Sequence, residues 1–137
     1  MALEYLLAKE KTPDEINLIK EIFNPTHDIG GIAAEKIDLN GISDSELWEL
    51  LDSVTYIPPQ TVEKICEIVG LISEEKMSGS YNPAELNANG IYPEMWHDDE
   101  STDKGFNRTE IVSDFLQLKA FLQTARDNSN YILSYVG

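Results

Sequence analysis

One long amphipathic segment near the C-terminus constrains the fold more than any other feature of the sequence. Apolar side chains recur there every three or four residues and form one stripe: Ile111, Phe115, Leu118, Leu122 and Ala125. Three further apolar residues flank the stripe: Val112, Leu116 and Phe121. This spacing is that of one face of an α-helix. It predicts a helix over residues 109 to about 127 that packs on a hydrophobic core.

Five other helices are indicated by their start signals. Thr12-Pro13-Asp14-Glu15 and Ser43-Asp44-Ser45-Glu46 are capping boxes, in which two side chains satisfy free backbone amides. Pro59 is suited to the first position of a helix, and Ser73 and Asn82 to the N-cap positions of two shorter ones. The second capping box precedes the apolar face of a short helix: Leu47, Trp48, Leu50, Leu51 and Val54.

Strands are expected in three places. Leu3–Lys9 is a short apolar segment bounded by charge, and Tyr131–Val136 is rich in β-branched and aromatic residues. A further short strand is expected between residues 24 and 42. The length suits one sizeable core better than two. The sequence thus predicts a small single α+β domain over residues 1–137, with several amphipathic helices packed on a small sheet that includes the C-terminal strand.

Charge limits the possible partners. The 25 acidic and 10 basic residues give a formal net charge of −15, which repels nucleic-acid phosphates and anionic membrane surfaces. Direct nucleic-acid or membrane binding is therefore not expected. The acids are spread along the chain, as on solvated helix faces. One run is concentrated: Asp98, Asp99, Glu100 and Asp103.

Targeting and cysteine signals favour a cytoplasmic protein. The N-terminal residues lack the basic and apolar regions of a signal peptide, and no run approaches the length of a membrane span. The single cysteine, Cys66, rules out an internal disulfide. Cys66 lies between Ile65 and Val69 on a predicted apolar helix face, where cysteine behaves as a small hydrophobic residue.

Signals for catalysis and cofactors are weak, which favours a non-enzyme. A histidine general base would have to be His27 or His97, and neither lies in a motif. Gly30-Gly31 lacks the other glycines and the lysine of a phosphate-binding loop. One cysteine and two separated histidines do not form a zinc pattern. The sequence therefore predicts no cofactor.

The acidic run partly resembles a calcium loop of the EF-hand type. Reading from Asp99, oxygen-bearing side chains follow at three of its positions: Ser101, Asp103 and Glu110. The match fails where Lys104 replaces the glycine of the sharp turn, with Gly105 one residue late. The preferred interpretation is a solvated loop whose acids precede a helix N-terminus and stabilise its dipole.

Aromatic residues surround this loop. Tyr92, Trp96 and Phe106 either line a recognition groove or pin the loop to the core, and packing is the more frequent role. The candidate binding residues combine the aromatics with the acidic run: Tyr92, Trp96, His97, Asp98, Asp99, Glu100 and Asp103.

An ordered set of motifs points to a family. Ser73-Glu74-Glu75, Tyr81-Asn82-Pro83 and Ile91-Tyr92-Pro93 with Trp96 precede the long helix and a terminal strand ending Tyr135-Val136-Gly137. This order resembles the YfbM-like family, small bacterial proteins catalogued as a domain of unknown function, most clearly over residues 57–137. The resemblance implies an α+β domain and supplies no catalytic residues.

Three functional hypotheses follow. The first is a non-catalytic protein-interaction module, of immunity or accessory type, that binds a basic protein through complementary charge. The second is a small hydrolase or metal-dependent enzyme that uses His97 and nearby carboxylates. The third is an acidic nucleic-acid mimic, which requires a one-sided stripe of carboxylates. The interaction module is preferred, with no oligomeric state implied.

Overall fold

A computed structural model describes residues 2–23, 43, 54–101 and 105–135. In chain order its elements are α1 (Ala2–Ala8), α2 (Pro13–Phe23), β1 (Val54–Ile57), α3 (Pro59–Gly70), α4 (Glu74–Ser80), α5 (Pro83–Ala88), α6 (Arg108–Asp127) and β2 (Ile132–Tyr135). The described part of the chain is mostly helical. Among its helices, none is both long and apolar enough to cross a membrane.

Most predicted helix starts are confirmed. At α2 the Thr12 N–H donates to Glu15 Oε2 at 3.0 Å, and the Glu15 N–H donates back to Thr12 Oγ1 at 3.3 Å. Ser73 Oγ caps α4 at 3.1 Å and Asn82 Oδ1 caps α5 at 3.2 Å, each accepting from the amide three residues later. Pro59 is the first residue of α3. The helix predicted after Ser43 lies outside the described residues, except for its two ends.

Two predictions at the N-terminal side are wrong. Residues 3–9 do not form a strand, because α1 spans Ala2–Ala8 and buries Ala2, Leu6 and Leu7. Leucine and alanine have high helix propensities, and burial at positions 2 and 6 follows the helical repeat. Val54 does not end a helix, since it begins β1, whose sequence Val-Thr-Tyr-Ile is typical of strands.

The described β structure is one antiparallel pair. Residue Ile57 of β1 faces Ile132 of β2, and Val54 faces Tyr135. The predicted C-terminal strand is therefore confirmed. The predicted α+β architecture is confirmed only in its helices, because this pair of four-residue strands is all the sheet found in the described residues. The short strand predicted between residues 24 and 42 lies outside them.

The core lies where α3 crosses α6, with α1, α2 and α4 against these two helices. Phe115 and Leu122 of α6 are fully buried, as are Val62 and Ile65 of α3. Each such side chain contributes about 1.5–3 kcal/mol relative to an exposed position. Cys66 is also buried, which confirms its predicted place in the core.

A polar contact joins α1 and the residue that follows it to α5 at the surface. Lys9 Nζ and the Tyr5 hydroxyl each donate to the Glu85 carboxylate, both at 2.8 Å. The hydrogen bond from Lys9, with that from Tyr5, holds the pKa of Glu85 below its usual range. Because both bonds favour the ionised carboxylate, this contact depends on pH.

The C-terminal end of α6 is closed by a Schellman motif. The Asn130 N–H donates to Ala125 O at 2.8 Å, and the Ser129 N–H donates to Arg126 O at 3.0 Å. The motif requires a left-handed residue, and Ser129 adopts it with φ 52°. It turns the chain from α6 into β2.

Candidate functional site

The end of α5 sets the direction of the chain that carries the predicted site. The Ile91 N–H donates to Leu86 O at 3.0 Å, and the Gly90 N–H donates to Asn87 O at 3.1 Å, which is again a Schellman motif. Gly90 holds the left-handed position, with φ 65°. Ile91 is half-buried against the core, so the position from which the next residues start is fixed.

Residues 91–95 form a turn at the protein surface, which we call the aromatic turn. The Glu94 N–H donates to Ile91 O at 2.9 Å and closes it. The Tyr92–Pro93 peptide bond is cis. Tyr92 is 80% exposed and Met95 is 57% exposed. Two large side chains with apolar surface are therefore presented to solvent within four residues.

The next segment, residues 96–101, lies along the protein surface, and we call it the acidic strap. Its first residue, Trp96, is held by Asn87, whose Oδ1 accepts from the Trp96 N–H and whose Nδ2 donates to Trp96 O, both at 3.0 Å. The indole N–H donates to Ile91 O at 3.0 Å. The Trp96 ring makes edge contacts with Tyr81 and Phe106 at centroid distances of 6.5 and 5.7 Å. Trp96 thus pins the strap to the core.

Tyr81 supports the strap from beneath. Its ring is buried, and its hydroxyl lies 2.7 Å from His97 O and 3.2 Å from Phe106 O. Phe106 O also accepts from the His97 N–H at 3.2 Å. Burial raises the pKa of Tyr81, so the hydroxyl stays protonated and acts as a donor to these carbonyls.

Asn107 fixes the other end of the strap. It is 2% exposed, and its Nδ2 donates to Asp99 O at 2.9 Å and lies 3.2 Å from Ser101 O. Its Oδ1 accepts from the Glu110 N–H at 2.9 Å, which caps α6. One buried amide therefore couples the start of the longest described helix to the strap.

Two strap carboxylates lie around the N-terminus of α6. Glu100 accepts from the Thr109 N–H at 3.3 Å and from the Thr109 hydroxyl. The Arg108 guanidinium lies 3.6 Å from Glu100 and 4.0 Å from Asp98, over the ring of Tyr81. Negative charge at this end of a helix is favourable, as predicted for acids that precede α6.

His97 and Asp99 make local backbone contacts. His97 Nδ1 accepts from the Asp99 N–H at 3.1 Å, and Asp99 Oδ1 accepts from the Ser101 N–H at 3.0 Å. Glu110, the last position of the calcium-like pattern, accepts from the Phe106 N–H. Within the described residues no group of three or more His, Cys, Asp or Glu side chains could hold a metal ion. Asp103 lies outside those residues.

The structure thus brings five of the predicted site residues onto one strap: Trp96, His97, Asp98, Asp99 and Glu100. Tyr92 lies on the adjoining aromatic turn. Sequence reasoning missed the residues that hold them, which are Tyr81, Asn87, Asn107 and Arg108. Only Asn107 carried a local signal, since asparagine three residues before Glu110 is typical of an N-cap.

A shallow groove lies along the outer side of α6, opposite the core. Its volume is about 860 Å³, and residues of α4 and α6 line it together with Glu100 of the strap. Leu116, which the sequence placed beside the core stripe, is 40% exposed and contributes to the lining. The groove and the strap are continuous, because Glu100 and Arg108 border both.

Comparison with protein families gives a match over nearly the whole chain. The model of the family described as Domain of unknown function (DUF1877) matches residues 2–135. The chain belongs to this family. This confirms the resemblance to the YfbM-like family, because that is the name by which the DUF1877 family is known. Neither the curated proteins nor the solved structures give a match.

The matched DUF1877 region contains every element of the site described above. The aromatic turn, the strap and the groove all lie between residues 74 and 120, well inside residues 2–135. The family description assigns no activity.

Proposed function

We propose that this DUF1877 protein is a non-catalytic protein-interaction module, of immunity or accessory type, that binds a basic protein through the aromatic turn and the acidic strap. The observation that carries the proposal is the exposure of Tyr92 and Met95, at 80% and 57%, on an anchored frame. Tyrosine at the centre of a contact often supplies much of the binding energy, and methionine adapts to the shape of a partner.

The frame reduces the entropic cost of binding. The Asn87 side chain forms hydrogen bonds with both the N–H and the carbonyl oxygen of Trp96, and the buried side chain of Asn107 contacts two strap carbonyls. Tyr81 donates to the strap from the core. A surface whose backbone is already ordered loses less freedom when a partner docks.

Charge favours a basic partner. Glu94, Asp98, Asp99 and Glu100 are exposed within seven residues of one another, and the whole chain carries a net charge of −15. Such a field speeds encounter with a positively charged protein and disfavours acidic ones. Arg108 offsets part of this charge at one edge, where it lies near Asp98 and Glu100.

The same contacts favour binding over hydrolysis. His97 Nδ1 accepts a hydrogen bond from the Asp99 N–H, so this nitrogen is not directed at a substrate proton. The carboxylates of Glu100 and Glu110 accept from backbone amides at the start of α6. These groups shape and stabilise the strap, which is what an interaction surface needs.

Site-specific photocrosslinking tests the proposal. A photoreactive amino acid replaces Tyr92 in one variant and Gln60, an exposed residue of α3, in a matched control. In extract from the source organism, we expect the residue-92 variant to form an adduct with one basic protein, and the residue-60 variant not to form it. The adduct should decrease strongly between 0.05 and 0.5 M salt. Identical adducts from both positions, or an acidic partner, would contradict the proposal.

A further inference from the structure

The groove along α6 carries an inference that deepens the proposed function and rests on it. Val112, Leu116 and Ala120 follow one another at four-residue intervals and contribute to the lining of the groove. Leu116 is 40% exposed, although it lies in the middle of the longest described helix. A ridge of this kind is the surface against which a second helix packs.

The direction of the groove follows from two contacts. Arg108 Nε donates to Ser78 O at 3.2 Å near the end of α4, whereas Lys119 Nζ donates to Ile72 O at 2.7 Å just before α4 begins. Helix α4 therefore runs antiparallel to α6 along one wall of the groove. Glu74, in the first turn of α4, lies toward the Ala120 end, and Glu100 lies at the Arg108 end.

The groove thus has an apolar ridge with a carboxylate toward each end. From Arg108 to Ala120 the helix rises about 18 Å, the length of roughly three helical turns. Two carboxylates, Asp98 and Glu100, lie 4.0 and 3.6 Å from the single guanidinium of Arg108, so these three groups together keep a net negative charge at this end of the groove. The surface therefore complements a segment that is apolar in the middle and basic at both ends.

We infer that the groove docks an amphipathic helix of the basic partner, with apolar residues at positions i, i+4 and i+8 and a lysine or arginine near each end. Helices bind in grooves through such repeats, which meet the ridge of the receiving helix. The strap and the groove are continuous at Glu100, so one partner can contact both surfaces.

A pair of synthetic peptides tests this inference without the natural partner. The first is a 16-residue helical peptide with leucines at positions 5, 9 and 13 and two lysines at each end. The second has the same composition, with the leucines moved to positions 5, 6 and 7. Both are labelled with a fluorophore, and binding is followed by anisotropy at 0.05 M salt. We expect the first peptide to bind at least tenfold more tightly.

Two variants of the protein locate the binding. Leu116→Ser should weaken binding of the first peptide about tenfold, because it removes most of one buried leucine contact. Phe121→Ser is the matched control: Phe121 is 56% exposed, lies about 140° around α6 from Leu116 and does not line the groove. It should leave binding unchanged. Circular dichroism and thermal unfolding verify that both variants fold.

Several results would overturn the inference. They are equal binding of the two peptides, no binding of either at millimolar concentration, or an affinity that Leu116→Ser does not change. Dimerisation of the wild-type protein that Leu116→Ser abolishes would assign the groove to a second copy of the chain instead. Crosslinking from position 92 does not depend on these results, so failure here leaves the proposed function to its own test.

Discussion

Replacing Asn107 tests how the acidic strap is held. The side chain makes two contacts with strap carbonyls, at 2.9 and 3.2 Å, and caps α6 at 2.9 Å, all from a position that is 2% exposed. Each strap contact contributes about 1 kcal/mol, and loss of an N-cap costs about 1 kcal/mol. Asn107→Ala should therefore lower the free energy of unfolding by about 3 kcal/mol.

A serine variant separates the two roles of Asn107. Serine caps helices about as well as asparagine, but its single hydroxyl cannot hold the strap carbonyls while it caps α6. Asn107→Ser should cost about 2 kcal/mol, all from the strap, on the same reasoning. Asn89→Ala is the control, since Asn89 is exposed and its side chain donates to Glu85 O at the end of its own helix. It should cost under about 0.5 kcal/mol.

Urea unfolding followed by circular dichroism measures all three variants, with the slope against urea expected to stay constant. Amide hydrogen exchange of strap residues should accelerate in Asn107→Ser while the middle of α6 keeps its protection. Wild-type stability in Asn107→Ser would show that the strap contacts contribute nothing. Equal losses in the serine and alanine variants would show that capping is not separable from them. Either result would contradict the two separate roles of Asn107.

Three further substitutions probe other parts of the fold. Tyr81→Phe removes one buried hydroxyl and keeps the ring, so it should cost about 1–2 kcal/mol in urea unfolding; no change would contradict the contact with His97. Ser129→Gly should stabilise by about 0.5–1 kcal/mol, because glycine adopts φ 52° without strain, and a lower melting temperature would argue against this. Glu85→Gln should destabilise at pH 7. The pKa of Glu85 is lower in the folded protein than its ordinary value, so the ionised carboxylate stabilises the fold at pH values above that ordinary pKa. This stability is lost as the pH falls through the pKa of the folded protein. The difference in free energy of unfolding between Glu85→Gln and wild type should therefore vanish in acid.

Features encoded over a few residues were predictable from the sequence. The capping residues Thr12, Ser73 and Asn82 each act within three residues, and their helices begin where predicted. The stripe of α6 repeats from Ile111 to Ala125, over about four turns, which leaves little ambiguity about its period. Segment Leu3–Lys9 was too short for its period to distinguish a strand from a helix.

The frame of the site was not predictable, because its contacts are distant in sequence. Asn87 and Trp96 are 9 residues apart, and Tyr81 and His97 are 16 apart. No local sequence pattern marks Tyr81, whose hydroxyl donates to the carbonyl of a residue 16 positions later. For the same reason β1 was missed, since its partner strand is distant in sequence: Ile57 pairs with Ile132, 75 residues later.

The candidate binding residues were easier to locate from the sequence than their roles were to predict. The acidic run and the aromatics near it were evident from composition along the chain. The sequence did not show whether Trp96 is exposed or packed, because tryptophan occurs both at interfaces and in hydrophobic cores. In the structure Trp96 is packed and hydrogen-bonded to Asn87 and Ile91, whereas Tyr92 and Met95 are exposed to solvent.

The proposed function is the binding of a basic protein by the aromatic turn and the acidic strap. Titration calorimetry with the basic protein identified by crosslinking, against wild-type protein and Tyr92→Ala, tests it most directly. Tyr92 is 80% exposed, so its replacement should leave the melting temperature unchanged. We expect at least tenfold weaker binding by Tyr92→Ala, and weaker binding of both proteins at 0.5 M than at 0.05 M salt. Affinities within twofold of each other, or binding that salt does not alter, would contradict it.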